Sequence, residues 1–168
     1  MLLNLGCGDR YALGWVNVDF GTPHRVDQKV DLTEELPWEP DSVTHVYMGH
    51  VLEHLTPEQA IVLLERLQPL VRPEGQIMVV GPDVQLAEQL QSQGYALEVP
   101  LEQLRHGAGR WSGDVHHWEC TAGGLVELLE AAGWRDIEDV GIDNVASFWP
   151  VAVRGPKWQC AVSARSSR

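Results

Sequence analysis

Apolar positions in this chain fall into short runs bounded by glycine, proline or charge, with longer periodic stretches between the later runs. Residues 2–5 (LLNL) are short, apolar and closed by glycine, which predicts a buried strand. Residues 15–20 (WVNVDF), 29–32 (KVDL), 42–48 (SVTHVYM) and 75–82 (GQIMVVGP) predict four more. Residues 134–141 and 157–164 complete a set of seven. Helical periodicity appears between the later strands. Thr56, Pro57 and Gln59 read as an N-cap, a first-turn proline and a capping-box partner. The stripe Ala60, Ile61, Leu63, Leu64 and Leu67 follows, and Pro69 and Pro73 end it. A second helix is expected from Asp83 to Gly94, and a third from Thr121 to a C-terminal glycine at Gly133.

Strands alternating with helices predict an α/β fold, a mostly parallel sheet covered on both faces. The length of 168 residues fits one domain, 1–168. Residues 95–120 break the rhythm with three histidines, two tryptophans and several glycines, and read as a lid-like insertion.

In such sheets ligands bind beyond the carboxyl ends of the strands, where strand order reverses. Gly6 and Gly8 follow the first predicted strand, and Asp19 ends the second. A glycine turn lets the backbone approach a ligand, and a carboxylate there can accept both hydrogen bonds of a ribose diol. The dinucleotide fingerprint wants a third glycine where Tyr11 stands, and an acid about 20 residues on. Asp19 lies only 19 − 6 = 13 residues after Gly6. A nucleoside without phosphate fits better, and a nicotinamide-dependent dehydrogenase is disfavoured.

The ordered series LNLGCG, Asp19, VDLTEELPWEPDSVTHVYMGHVLEHL (30–55) and LVRPEGQIMVVGPD (70–83) resembles the class I S-adenosylmethionine-dependent methyltransferases. The match is to their compact subgroup with LNLGSG, GWVNVD and HVLEHL. It covers residues 1–83 well and continues weakly through HHWECTAGGLVELLEAAGW. The resemblance implies a Rossmann-like three-layer sandwich. Its seven strands would run in the order 3-2-1-4-5-7-6, with the last antiparallel. It implies S-adenosyl-L-methionine as cofactor. Gly6 and Gly8 would approach the methionine part, and Asp19 would bind the ribose hydroxyls. Asp31 and the amide of Leu32 would face the adenine. Met48, Gly49 and His50 would flank the methionine moiety. Asn4 and Phe20 complete the expected cofactor-binding set. No helix is expected ahead of the first strand, and the first crossover is very short. Both departures from the family pattern predict a cofactor site more open on one side.

Charge and histidines narrow the acceptor. A formal charge of −12 repels phosphate backbones and anionic membranes, so nucleic acid and membrane are disfavoured as partners. A small molecule or glycan, methylated at oxygen or nitrogen, is the expected substrate. The alternatives are a nucleic-acid methyltransferase and a non-catalytic cofactor-binding module. An oxygen acceptor needs a base. The candidates, in falling order, are His116, His117 and His50. On a helix, His50, Glu53 and His54 would share one face with metal-ligand chemistry. Some methyltransferases hold a divalent ion with a similar ExxEH and a distant histidine. Here His50 replaces the first glutamate, and structural hydrogen bonding is the favoured reading, so no metal is expected. Trp111, Trp118 and Trp149 could line an acceptor pocket, and residues 95–120 and 141–156 should build it. Three widely spaced cysteines, no leader and no long apolar run predict a cytoplasmic protein, monomeric or homodimeric.

Overall fold

The computed structural model describes residues 1–110, 113–145 and 156–167. Strands β1 (Leu2–Leu5), β2 (Val16–Val18), β3 (Val43–Gly49), β4 (Val71–Pro82), β5 (Arg135–Asp139) and β6 (Gln159–Arg165) form one sheet. Their order is β2-β1-β3-β4-β6-β5. The pairs β2–β1, β1–β3 and β3–β4 are parallel, and β6 runs antiparallel to both β4 and β5.

The sheet has six strands among the described residues, not seven. The expected strand at 29–32 is reduced to a single parallel bridge between Val18 and Gln28. The carbonyl of Asn17 accepts from the N–H groups of both Asp27 and Gln28 (2.8 and 3.1 Å), which ends the ladder there. The Asp31 carboxylate then accepts from Thr33 and bends the chain away. Val30 and Leu32 still pack on the core.

Alternation along the strands sorts the core into two faces. Val46 and Met48 of β3, Ile77 and Val79 of β4, and Cys160 and Val162 of β6 point to one side. Helices α1 (Pro57–Leu67) and α4 (Ala122–Ala131) cover it, through Leu63, Leu64, Leu125 and Leu129. The full capping box at Thr56 and Gln59 starts α1. The Thr121 hydroxyl caps α4 by accepting from Gly124 N–H. The opposite face, with Tyr47, Met78, Val80 and Ala161, is covered by Ala12, Trp15 and Val145. No regular helix lies in that second cluster among the described residues. The connection from β1 to β2 is ten residues long and turns back at once, leaving no length for a helix.

Helix α2 (Val84–Ser92) is capped by Asp83, whose carboxylate accepts from Leu86 N–H. The stretch expected to be an irregular lid contains a short helix, α3 (Leu101–His106). It joins α2 through Leu104, Val84, Ala87 and Trp158. No helix of the described residues is long and apolar enough to cross a membrane.

Candidate active site

The tips of β1 and β2 make the first half of the site. Gly6 has φ +66°, and a Cβ there would lie 2.4 Å from Cγ2 of Val51, just past β3. Only glycine lets the turn close on that neighbour. The Asp19 carboxylate fastens the turn: one oxygen accepts from Gly8 N–H and the other from the N–H groups of Gly21 and Thr22, each at 3.0 Å. Phe20 beside it is 66% exposed, a large apolar surface that the core does not use. Gln28 pairs with β2 at Val18, so the chain beyond it brings Asp31 to the same edge. Asp31 there accepts from Thr33, and these bonds hold its carboxyl below the usual range.

Beneath the turn lies a buried amide network. The Asn4 side-chain amide donates to Asn17 Oδ1 and to the Arg10 carbonyl, both at 2.9 Å. The Asn17 amide donates to the Ala12 and Trp15 carbonyls. Asn4 is buried, 2% exposed, and its amide ties the turn to β2. Burial, aided by the charge of Asp19, pushes the Cys7 thiol up to about 11, so it is no nucleophile.

The tips of β3 and β4 make the second half. A cavity of about 150 Å³ opens there, lined by His50, Glu53, His54, His116, Asp114 and Trp158 among others. Residues 50–54 do not start a helix that shows three side chains on one face. His50 takes φ +58° and is followed by a single 3-10 turn, Leu52–His54. This turns the His50 ring onto Glu53, Nδ1 to Oε1, at 3.1 Å. The amide of Gln159 meets its Nε2. Both ring nitrogens of His50 are thus engaged, one by the Glu53 carboxylate and the other by the Gln159 amide. Glu53 is 1% exposed. Burial raises its carboxyl, but the His50 hydrogen bond and the neighbouring imidazoles outweigh this and hold it below the usual range.

Residues 101–110 and 113–116 fold back over the cavity. Gly107 ends α3 with φ +84°, and a Cβ there would meet the Asp114 carbonyl oxygen at 2.3 Å. Backbone bonds close the return: Gly109 N–H to Asp114 O and His116 N–H to His106 O. Asp114, buried, accepts from Arg110, whose guanidinium holds its carboxyl down to about 2. Arg105 pairs with Glu88 of α2 and with Glu102 and Glu119. His116 Nδ1 lies 2.8 Å from the Leu104 carbonyl, and His54 Nδ1 lies 3.2 Å from that of Val115. A carbonyl only accepts, so both rings donate from Nδ1. The two rings stand edge to face, 4.9 Å apart. Burial pushes His116 below its ordinary value of 6.5.

His117 is exposed and does not line the cavity; its contribution is a backbone N–H to the Glu53 carbonyl. Met48 is fully buried in the core, so only its backbone reaches the edge. Trp118 anchors the returning segment by donating from Nε1 to the Leu52 carbonyl. Trp111, Trp149 and most of the 141–156 loop lie outside the described residues. Sequence reasoning missed Gln159, Trp158 and the Arg110–Asp114 clamp. Only the clamp left a signal, opposite charges four residues apart.

No protein-family model and no curated protein matches the chain. Solved structures do. A methyltransferase dependent on S-adenosylmethionine from Methanosarcina mazei superposes with a TM-score of 0.61 at 14% identity, over 98% of this chain and 91% of that one. Another, from Archaeoglobus fulgidus, gives 0.61 at 17% identity over 98% and 85%. Human N-acetylserotonin methyltransferase, solved with S-adenosylmethionine, gives 0.58 at 19% identity over 99% of this chain. The chain spans about half the length of that enzyme, 47%. The fold is that of the class I methyltransferases.

Proposed function

We propose that the chain is an S-adenosylmethionine-dependent methyltransferase acting at oxygen or nitrogen of a small molecule or carbohydrate. One observation carries the reading: a glycine turn fastened by Asp19 and a histidine-lined cavity share the carboxyl edge of one sheet, on either side of the β1–β3 switch point. In this reading the ribose diol takes the Asp19 carboxylate, and Phe20 covers the adenine. Asp31 and the Leu32 amide read its edge. The backbone of Met48, Gly49 and His50 flanks the methionine part. Residues 95–120 act as the lid of a single domain.

Methyl transfer is an in-line displacement at a sulfonium carbon. The S–CH3 bond breaks as the acceptor–CH3 bond forms, and the electron pair returns to sulfur. The sulfonium is already activated, so the protein's work is alignment and exclusion of water. A hydroxyl acceptor also has to lose a proton. Of the three histidines expected to act as base, His116 lines the cavity and donates from Nδ1 to a carbonyl, so its neutral ring offers the Nε2 lone pair. Its lowered proton affinity keeps that lone pair available at neutral pH.

Calorimetry with S-adenosylhomocysteine and with NAD tests the cofactor. Binding of the first and not the second is expected, and no binding of the first overturns the reading. Methyl transfer from labelled donor into separated metabolites, glycans, nucleic acid and protein then assigns the acceptor class. The chain's net charge of −12 favours label in the first two fractions.

A further inference from the structure

We propose that the methyl acceptor is a small protonated amine, its ammonium group held between the Glu53 carboxylate and the His116 ring. This deepens the methyltransferase reading and rests on it. A carboxylate oxygen of Glu53 and a ring nitrogen of His116 lie within 4.8 Å of each other. Two N–H groups of one tetrahedral nitrogen, each reaching an acceptor at about 2.9 Å, place those acceptors about 4.7 Å apart. One ammonium therefore bridges the pair.

The surroundings ask for a positive donor. Glu53 gives one oxygen to His50 and is 1% exposed, so little water screens its charge. His116 spends its Nδ1 proton on the Leu104 carbonyl, which leaves the lone pair of the neutral ring on Nε2. Arg110 is the one Lys or Arg among the described lining residues, and it is committed to Asp114. Glu53, Asp114 and Arg110 together leave one negative charge uncompensated. Beside Trp158, the amide nitrogen of Gln159 meets His50, and its buried Oε1 has no hydrogen-bond partner among the described residues, one more acceptor next to the cavity. An acceptor molecule carrying carboxylate or phosphate is repelled here, and a neutral alcohol leaves the buried charge unpaired.

The rest of the wall suits the carbon frame. Val99, Leu104 and Trp158 line the same cavity. Glu98 accepts from both Trp158 Nε1 and the Tyr95 hydroxyl at 2.8 Å, which fixes the indole beside His50. An indole attracts a cation as well as an apolar frame. The volume of about 150 Å³ is that of roughly five waters, room for the amine end of an acceptor and a few carbons. In the reaction the ammonium gives one proton to His116 Nε2, and the lone pair so freed attacks the methyl carbon. The S–CH3 bond breaks with its electron pair going to sulfur. The products are a methylated ammonium, a neutral thioether and an imidazolium that returns its proton to water. An alkylamine is more basic than imidazole, so the neutral amine exists only briefly, beside the donor.

The test uses the full chain, with and without S-adenosylhomocysteine, and three probes of one shape: benzylamine, benzyl alcohol and benzoate. In calorimetry benzylamine should bind at least about 10-fold tighter than benzyl alcohol, with benzoate weakest. Glu53→Gln keeps the shape and removes the charge. It should lower benzylamine affinity by more than about 30-fold and leave benzyl alcohol within about 3-fold. His106→Ala, an exposed histidine paired with Glu102, should change neither and controls for surface binding. Equal binding of benzylamine and benzyl alcohol by the wild type, a preference for benzoate, or unaltered benzylamine affinity in folded Glu53→Gln overturns the proposal. The wild-type ranking decides the matter even where Glu53→Gln does not fold. In the labelled-donor experiment, product label should be retained by a cation exchanger at neutral pH, and label in the unretained metabolites overturns the amine. S-adenosylhomocysteine binding without a benzylamine preference removes the amine and leaves the methyltransferase reading. A benzylamine preference without S-adenosylhomocysteine binding removes the methyltransferase reading, and with it the amine's role as acceptor.

Discussion

The two ends of the sheet's carboxyl edge are built by opposite means. At the tips of β1 and β2 the working surface is mostly backbone: a turn at Gly6 and Gly8, three N–H groups gathered on Asp19, and one exposed ring, Phe20. All of it lies within about twenty consecutive residues. At the tips of β3 and β4 the surface is side chain, and its members come from residues 50–54, 104–116 and 158–159. A local turn folds with its own segment. A convergent cluster exists only once the sheet, α3 and the returning strand of chain are all in place, so the second region is the one that conditions can take apart.

Asp19→Ala should separate the two regions most sharply. We expect S-adenosylhomocysteine affinity to fall by more than about 100-fold in calorimetry, with amide exchange around His50 and His116 unchanged. Three N–H groups lose their acceptor, but the site is only half-buried and water replaces it. The thermal midpoint should therefore drop by a few degrees and no more.

His50→Ala attacks the other region. It leaves the buried Glu53 carboxylate without its imidazole, which should cost about 2 kcal/mol, or about 4–8 °C in thermal unfolding at this chain length. If the midpoint does not move, Glu53 is satisfied by something other than His50.

Gly107→Ala places a Cβ against the Asp114 carbonyl at a φ that only glycine adopts freely. A cost of about 1–2 kcal/mol should appear as faster amide exchange over residues 108–116, with exchange at Gly6 to Asp19 unaltered. Uniform acceleration would mean that the two regions open together.

The smallest effect is in pH. The folded His116 binds its proton below 6.5, so as pH falls through 6.5 the unfolded chain takes the proton first. Stability contributed by the neutral ring is therefore full above about 6.5 and declines below it. Unfolding midpoints from pH 7.5 to 5 should fall more steeply for the wild type than for His116→Asn.

What could be read in advance follows the same division. The glycine turn, Asp19, the Thr56 capping box and the Thr121 cap each depend on neighbours a few residues away, and each is where its spacing put it. Residues 29–32 have the composition of a strand, but the Asn17 carbonyl takes two donors and stops the pairing. No local pattern contains that. His50, Glu53 and His54 have helical spacing, and a positive φ at His50 breaks it. His116 takes up the position toward Glu53 and His54 that the spacing had offered to His50, from 62 residues beyond His54. Only tertiary structure could say so.

At Gly107 two stretches of main chain cross with room for a hydrogen atom and nothing larger. A lineage that keeps this crossing has a one-letter alphabet at that position, and a lineage that loses the crossing is released from it. Gly107 and His116 should then be gained and lost together as relatives diverge, while Gly6 and Asp19 drift on a separate clock.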